Sequence, residues 1–264
     1  WIGGHHVIKQ EDKYILLSMT FRSRSYCWCC KSSQQQVEVM RQFDRSTPLA
    51  VQPATAMGSG SVAQEREFAW TSADFSRVQS LIYKHAGISL HDGKHAMVYS
   101  RLSRRLRETR YESFDAYLDW LERHGDANEW QQFVNALTTN LTAFFRENHH
   151  FEALAQLLKA KPANTPWRVG CSAASTGEEP YSIVMTALES LGAQANFKLI
   201  ASDIDSRVLG AGAHAVYRME TVKSLSQERL KNFFLRGKNS NAGMVRVKPE
   251  LRKMIDFIQV NLIK

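Results

Sequence analysis

Residues 167–205, WRVGCSAASTGEEPYSIVMTALESLGAQANFKLIASDID, constrain the fold more than any other stretch of the chain. WRVGC is a short β-leaning run, and SAASTG holds only small residues, so backbone there can approach a ligand closely. Ile183, Val184, Ala187, Leu188 and Leu191 then recur at helical spacing. Pro180 falls in the first turn, where its missing N–H costs nothing, and Gly192 stops the run. Ser175 or Thr176 is expected to cap this helix. FKLIAS forms a second strand with Asp203 at its carboxyl end. Strand, crossover helix and parallel strand make a right-handed unit. In open α/β sheets the ligand lies beyond the carboxyl ends of such strands.

The acids narrow the ligand. A carboxylate at the position of Asp203 can accept hydrogen bonds from the vicinal hydroxyls of a ribose. The loop is not GxGxxG, however, and it carries Glu178 and Glu179 where a dinucleotide site would hold pyrophosphate. Two carboxylates repel phosphate, while a helix N-terminus favours them. Residue types alone leave two readings. One is a site for a phosphate-free nucleoside with a cationic tail, a description that S-adenosylmethionine meets. The other is an ordinary βαβ unit with a solvated glutamate pair.

Length and charge bound the rest. With 264 residues there is room for one large or two small domains. No apolar run approaches the roughly 18 residues that span a bilayer, so no membrane insertion is expected. A net charge of +8 permits an acidic partner without choosing its kind. Of the four cysteines, Cys27, Cys29 and Cys30 crowd into CWCC and Cys171 stands alone in the first strand. This is no secreted disulfide framework. A lone CxCC is weak support for metal, and Cys171 is a small core residue without a histidine to activate it. A reducing, cytoplasmic compartment follows as the expectation, with no metal site.

GCSAASTGEEPYSI followed by ASDID resembles the cofactor loop of the chemotaxis receptor methyltransferases, the CheR family, and NALTTNLTAFFRENHHF upstream is equally similar to that family. The resemblance runs from Phe68 to Lys264. It implies a small N-terminal helical domain, a Rossmann-like S-adenosylmethionine-dependent methyltransferase domain, and a small antiparallel β-subdomain inserted in it. It also implies methylation of chemoreceptor glutamates to methyl esters, with S-adenosylhomocysteine as product. Carried over position by position, Asn140, Thr142 and Arg146 of NLTAFFR contact the cofactor and the mouth of the active site. Arg146 is the catalytic candidate, positioning a carboxylate. Asp203 holds the ribose, Glu179 faces the cofactor's ammonium or a loop N–H in preference to Glu178, and Asn261 and Leu262 meet the adenine side. Read without the resemblance, Asn140 and Thr142 are helix caps and Arg146 a surface residue. His149 and His150, adjacent in sequence, are expected on different sides of their helix.

The domains are expected at 1–67, 68–160 and 161–264. Residues 1–67 lack periodicity and include STPLAVQPATAMGSGSVAQ at 46–64, and so are expected to be a disordered extension and tether. Residues 1–56 would be the extension proper, with Met57 near a natural start. In 68–160, TSADF starts a first helix that Gly87 stops. A second spans about 94–109, Ser113 caps a third that ends at Gly125, and Trp130, Phe133, Val134 and Leu137 mark a fourth. A fifth, after Asn140, carries Phe144, Phe145, Phe151, Leu154, Leu157 and Leu158. The second helix region, 94–110, holds six Lys or Arg against one acid, Glu108. Such runs are usually solvated faces. The resemblance adds a second reading, in which Arg101, Arg104 and Arg105 dock the acidic helical region of a chemoreceptor. Nucleic acid is disfavoured as partner by the lack of interleaved aromatics and of a binding motif.

Residues 208–237 read as mostly helical. MVRVK and IDFIQV then read as strands of the β-subdomain, about 233–257, where in some family members a receptor C-terminal peptide adds as a strand. The chain stops at NLIK, short of further strands that the family has. The methyltransferase domain is therefore expected to be incomplete, with its first strand lacking one neighbour, and the chain unstable and catalytically poor. The other function classes are a non-catalytic receptor-binding module with a vestigial nucleotide fold, and a nucleic-acid methyltransferase.

Overall fold

A computed structural model describes residues 66–162 and 165–263, together with the backbone of residues 14–17. The first unit is helical: α1 (Ser72–Ala86), α2 (His95–Thr109), α3 (Phe114–His124) and α4 (Ala127–Leu137). The helices begin where the side chains dictate. Thr71 and Asp74 close a reciprocal capping box on α1, Ser113 accepts the Ala116 N–H at the start of α3, and Asp126 accepts the Glu129 N–H at the start of α4. Gly87 ends α1 in the left-handed region at φ 67°. The apolar stripes meet in one core around Phe75, Ile82, Leu102, Leu106, Tyr117 and Phe133.

The second unit is α/β. β1 (Tyr14–Leu17), β2 (Trp167–Ser172), β3 (Phe197–Asp203) and β7 (Ile255–Gln259) form a parallel sheet in the order β1-β2-β3-β7. α5 (His149–Lys159) packs on α6 (Glu178–Leu191), the crossover from β2 to β3, and α7 (Ser206–His214) follows β3. Between β3 and β7 the chain inserts an antiparallel sheet of β4 (Val216–Arg218), β5 (Phe234–Arg236) and β6 (Met244–Val247) in the order β4-β6-β5. Short helices α8 (Met219–Val222), α9 (Gln227–Phe233) and α10 (Pro249–Arg252) connect its strands and lead to β7. Among the described residues no helix is long and apolar enough to cross a membrane.

Five expectations change. Phe144 and Phe145 lie in a loop before α5, because Phe145 and Glu147 take left-handed backbone at φ 51° and 55°, which no α-helix accommodates. Phe144, Phe151, Leu154 and Leu158 are buried in the α/β core. The helical unit therefore ends near residue 138, not 160. IDFIQV is not part of the antiparallel sheet: as β7 it pairs with β3, Leu199 against Ile255 through Asp203 against Gln259. The inserted sheet instead recruits VYR and FLR from the stretch read as helical, so it covers residues 216–247 and not 233–257. β2 does not lack a neighbour, since Tyr14–Leu17 pairs with it in parallel register, Tyr14 against Arg168. Apart from that strand and residues 66–67, the tether expectation for 1–67, like the cysteines of CWCC, falls outside the described residues.

Candidate functional site

The site forms at the carboxyl edge of β2 and β3. Past Ser172 the small-residue loop takes left-handed backbone at Ala173 (φ 56°), Ser175 (φ 50°) and Gly177 (φ 95°). Gly177 is required there, because a Cβ would sit 3.0 Å from both the Gly212 Cα and the Tyr217 hydroxyl. It is Gly177, and not Ser175 or Thr176, that occupies the N-cap of α6. Ser175 turns to Asn140, its Oγ donating to that carbonyl at 3.2 Å, and the Thr176 hydroxyl donates to Glu178 at 2.6 Å.

Asp203 faces this loop and is 8% exposed. One carboxylate oxygen accepts the Ser175 N–H at 2.8 Å and the other the Asp205 N–H at 2.9 Å. A carboxylate oxygen has two lone pairs, so each keeps one acceptor site for a ligand hydroxyl. Asp205 is fully buried. Its Oδ1 caps α7 through the Arg207 and Val208 N–H groups, while Oδ2 accepts from the Thr138 hydroxyl and the Asn140 amide, each at 2.8 Å. The acidic end of β3 thus holds the loop that leads from the helical unit into the α/β unit.

Asn140 is consequently a clamp. Its side chain binds Asp205 and its carbonyl binds Ser175, so it joins the loops after α4 and β2 without capping a helix. Thr142 lies half-buried two residues on. Arg146 is also half-buried, and its guanidinium donates to the Leu141 carbonyl at 3.0 Å. Its charge acts on Glu179. Glu179 lies against the floor of the site, where the buried Cys171 thiol donates to its carboxylate at 3.4 Å. Burial raises the Glu179 carboxyl to about 7, which the thiol and Arg146 partly oppose. Burial also raises Glu178, whose carboxylate turns back to Thr176. Asn261 lies two residues beyond β7 at the same sheet edge and donates to the His85 carbonyl of α1 at 3.2 Å. Leu262 is exposed.

Asp203 at the end of β3, Glu179 in the first turn of α6, and the loop after α4 that carries Asn140, Thr142 and Arg146 therefore meet at one sheet edge. The arginines of α2 separate from one another. Arg101 donates to the Ala136 and Thr138 carbonyls, supporting the loop from behind. Arg105 binds Glu129 and Glu108, and Glu129 also accepts from the buried Tyr117 hydroxyl. Only Arg104 of the three keeps its side chain largely in solvent, 74% exposed in an i,i+4 pair with Glu108. Arg101 and Arg105 thus serve internal partners, backbone carbonyls and a buried carboxylate, and Arg104 is the one of the three turned to solvent. The His149 and His150 rings sit 4.0 Å apart in the first turn of α5, closer than adjacent helix positions suggest. Among the described residues no group of three or more His, Cys, Asp or Glu could hold a metal ion.

Sequence reasoning missed Asp205 and Thr138. Asp205 had a local signal, an acid directly before the helical run SRVLGAGAH, which is an N-cap pattern. Thr138 had none, because its partner is 67 residues away. A separate groove of about 340 Å³ between α5, α6 and α9, lined by Asn148, Glu152, Lys159, Glu189 and Arg229 among others, shares none of these residues.

Comparison with known proteins supplies an independent finding. Residues 140–264 match the family described as CheR methyltransferase, SAM binding domain, and residues 73–138 match CheR methyltransferase, all-alpha domain. The chain is 48% identical over 196 residues to the chemotaxis protein methyltransferase of Escherichia coli, covering 74% of this chain and 68% of that protein. It is 47% identical over 200 residues to that of Salmonella typhimurium, covering 75% and 69%. With chemotaxis protein methyltransferase 2 of Pseudomonas aeruginosa it shares 48% identity over 201 residues, covering 75% and 71%.

Proposed function

Because the chain belongs to the CheR methyltransferase family, we propose that it methylates glutamate side chains of a bacterial chemoreceptor, using S-adenosylmethionine as methyl donor. The observation that carries this reading is the donor set at the sheet edge. Asp203 and Glu179 present carboxylates, and the loop 172–179 between them contains no Lys or Arg. Such a set suits a ribose with a cationic amino-acid tail and repels a pyrophosphate. Asp203 would accept from the ribose hydroxyls, Glu179 would face the ammonium, Asn140 and Thr142 would border the cofactor, and Asn261 and Leu262 would close its adenine side.

S-adenosylmethionine, when bound, supplies an electrophilic methyl group on a sulfonium. The protein's part is orientation. A substrate carboxylate is already ionised at neutral pH, so no general base is needed. Arg146, at the mouth, would hold that carboxylate in line, and holding reactants in line lowers a barrier by at most about 7–11 kcal/mol. On the helical unit, Arg104 and Arg107, whose side chains are 74% and 56% exposed, would contact acidic receptor helices. A receptor C-terminal peptide would add as a strand to the antiparallel sheet, whose outer strands β4 and β5 expose Val216 and Leu235.

The deciding experiment offers labelled methyl donor and receptor-containing membranes to the intact protein. Base-labile label on the receptor is the expected outcome. Binding of S-adenosylhomocysteine without transfer would favour a non-catalytic receptor module, and label on added RNA or DNA would favour a nucleic-acid methyltransferase. Equal methylation of receptors with and without their C-terminal tail would remove the peptide site.

A further inference from the structure

The antiparallel sheet reaches back into the site through one side chain. Tyr217, in the middle of β4, is buried at 6% exposure, and its hydroxyl donates to the Thr176 carbonyl at 2.8 Å. Thr176 lies between the left-handed residues Ser175 and Gly177, in the loop that presents its N–H to Asp203. α6 receives no side-chain cap at Gly177, so the turn depends on such outside contacts. The Tyr217 ring also meets Phe144 edge-on, with centroids 5.0 Å apart. Phe144 belongs to the other loop of the site, between Thr142 and Arg146, and its far side meets Phe234 of β5 at 5.6 Å. Two strands of the inserted sheet therefore grip both loops that border Asp203 and Glu179.

We propose that Tyr217 is a positioning residue for the methyl-donor site, and that through it the antiparallel sheet sets the protein's affinity for that donor. The proposal rests on the reading of the sheet edge as an S-adenosylmethionine site. Removing the hydroxyl alone leaves the aromatic contacts in place and leaves the Thr176 carbonyl without its donor. The turn then relaxes, and the Ser175 N–H no longer holds Asp203 in one orientation. The neighbouring Tyr181 is the control. Its hydroxyl is buried too, but donates to the Gly212 carbonyl on α7 at 2.9 Å and not to the loop.

The test is calorimetric titration of S-adenosylhomocysteine into the full chain and its Tyr217→Phe and Tyr181→Phe variants, with thermal unfolding run alongside. Tyr217→Phe is expected to weaken binding about three- to tenfold, the worth of one hydrogen bond. The methyl-donor KM should rise in step, while kcat and the receptor KM stay unchanged. Tyr181→Phe should lower the unfolding midpoint, as loss of one buried hydrogen bond does, and leave affinity within about twofold. Unchanged affinity in Tyr217→Phe, or an equal loss in both variants, overturns the proposal. If the unsubstituted protein binds no S-adenosylhomocysteine, the site reading itself falls, before either variant is measured.

Discussion

Glu179 ties the site to pH. Its folded-state carboxyl lies near 7, above the ordinary glutamate value, because burial penalises the charge. The folded protein thus binds a proton that the unfolded chain has released between the ordinary value and about 7. This group's effect on stability therefore weakens the fold as pH rises through that window. Ligand binding runs the other way, since a cationic tail needs the ionised carboxylate. Affinity for S-adenosylhomocysteine is expected to rise by up to about tenfold from pH 6 to pH 8, one group's full titration. Calorimetry at the two pH values checks it, and Glu179→Gln should flatten the profile. Asp205 makes a different prediction. Its carboxylate satisfies two backbone N–H groups, a hydroxyl and an amide inside the protein. Asp205→Ala should cost about 3 kcal/mol in urea unfolding, from a lost cap and stranded donors.

At the scale of elements, α2 shows how an arginine-rich helix divides its charges. Arg105 and Glu129 join α2 to α4 in a half-buried pair, with side chains 17% and 8% exposed. Removing Glu129 leaves the largely buried Arg105 guanidinium only the half-exposed Glu108 as a charged partner. Glu129→Gln is expected to destabilise by about 3 kcal/mol, and Arg104→Ala by less than about 0.5 kcal/mol. Denaturant midpoints of the two variants compare these directly. Should Arg104→Ala also weaken receptor methylation without touching stability, the docking face lies on the solvent side of α2. The inserted sheet is the second case. Its strands are only three or four residues long, and the aromatic side chains Tyr217 and Phe234 secure it to the α/β core.

For the whole molecule, the two cores meet through polar contacts concentrated at the site. Gln131 of α4 donates to the Ile204 carbonyl at 2.8 Å, and Gln259 at the end of β7 donates to Gln131 at 2.6 Å. Asn261 reaches the last turn of α1, and Ile204 packs against the helical core. A ligand held by Asp203 and Asn140 should therefore stabilise both units together. At about 100 times its Kd, S-adenosylhomocysteine is expected to add about 2.7 kcal/mol to a single unfolding transition. Scanning calorimetry with two transitions, only the later of which moves, would contradict that coupling.

Local signals in the chain determined much of this. Capping boxes, glycine stops and the β2–α6–β3 pattern are written in near neighbours, and they located α1 to α4, the crossover and Asp203 without any tertiary information. The choices left to tertiary structure all involve partners far apart in sequence. Whether IDFIQV joined a parallel or an antiparallel sheet depended on Leu199 meeting Ile255, and an apolar run carries no record of its partner. Whether Arg101 faced solvent or the Thr138 carbonyl, and whether Asn140 capped a helix or clamped Asp205, depended on which polar group was left unpaired once the cores had closed. Hydrophobic periodicity specifies an element, but the pairing of buried polar groups is decided only when elements meet.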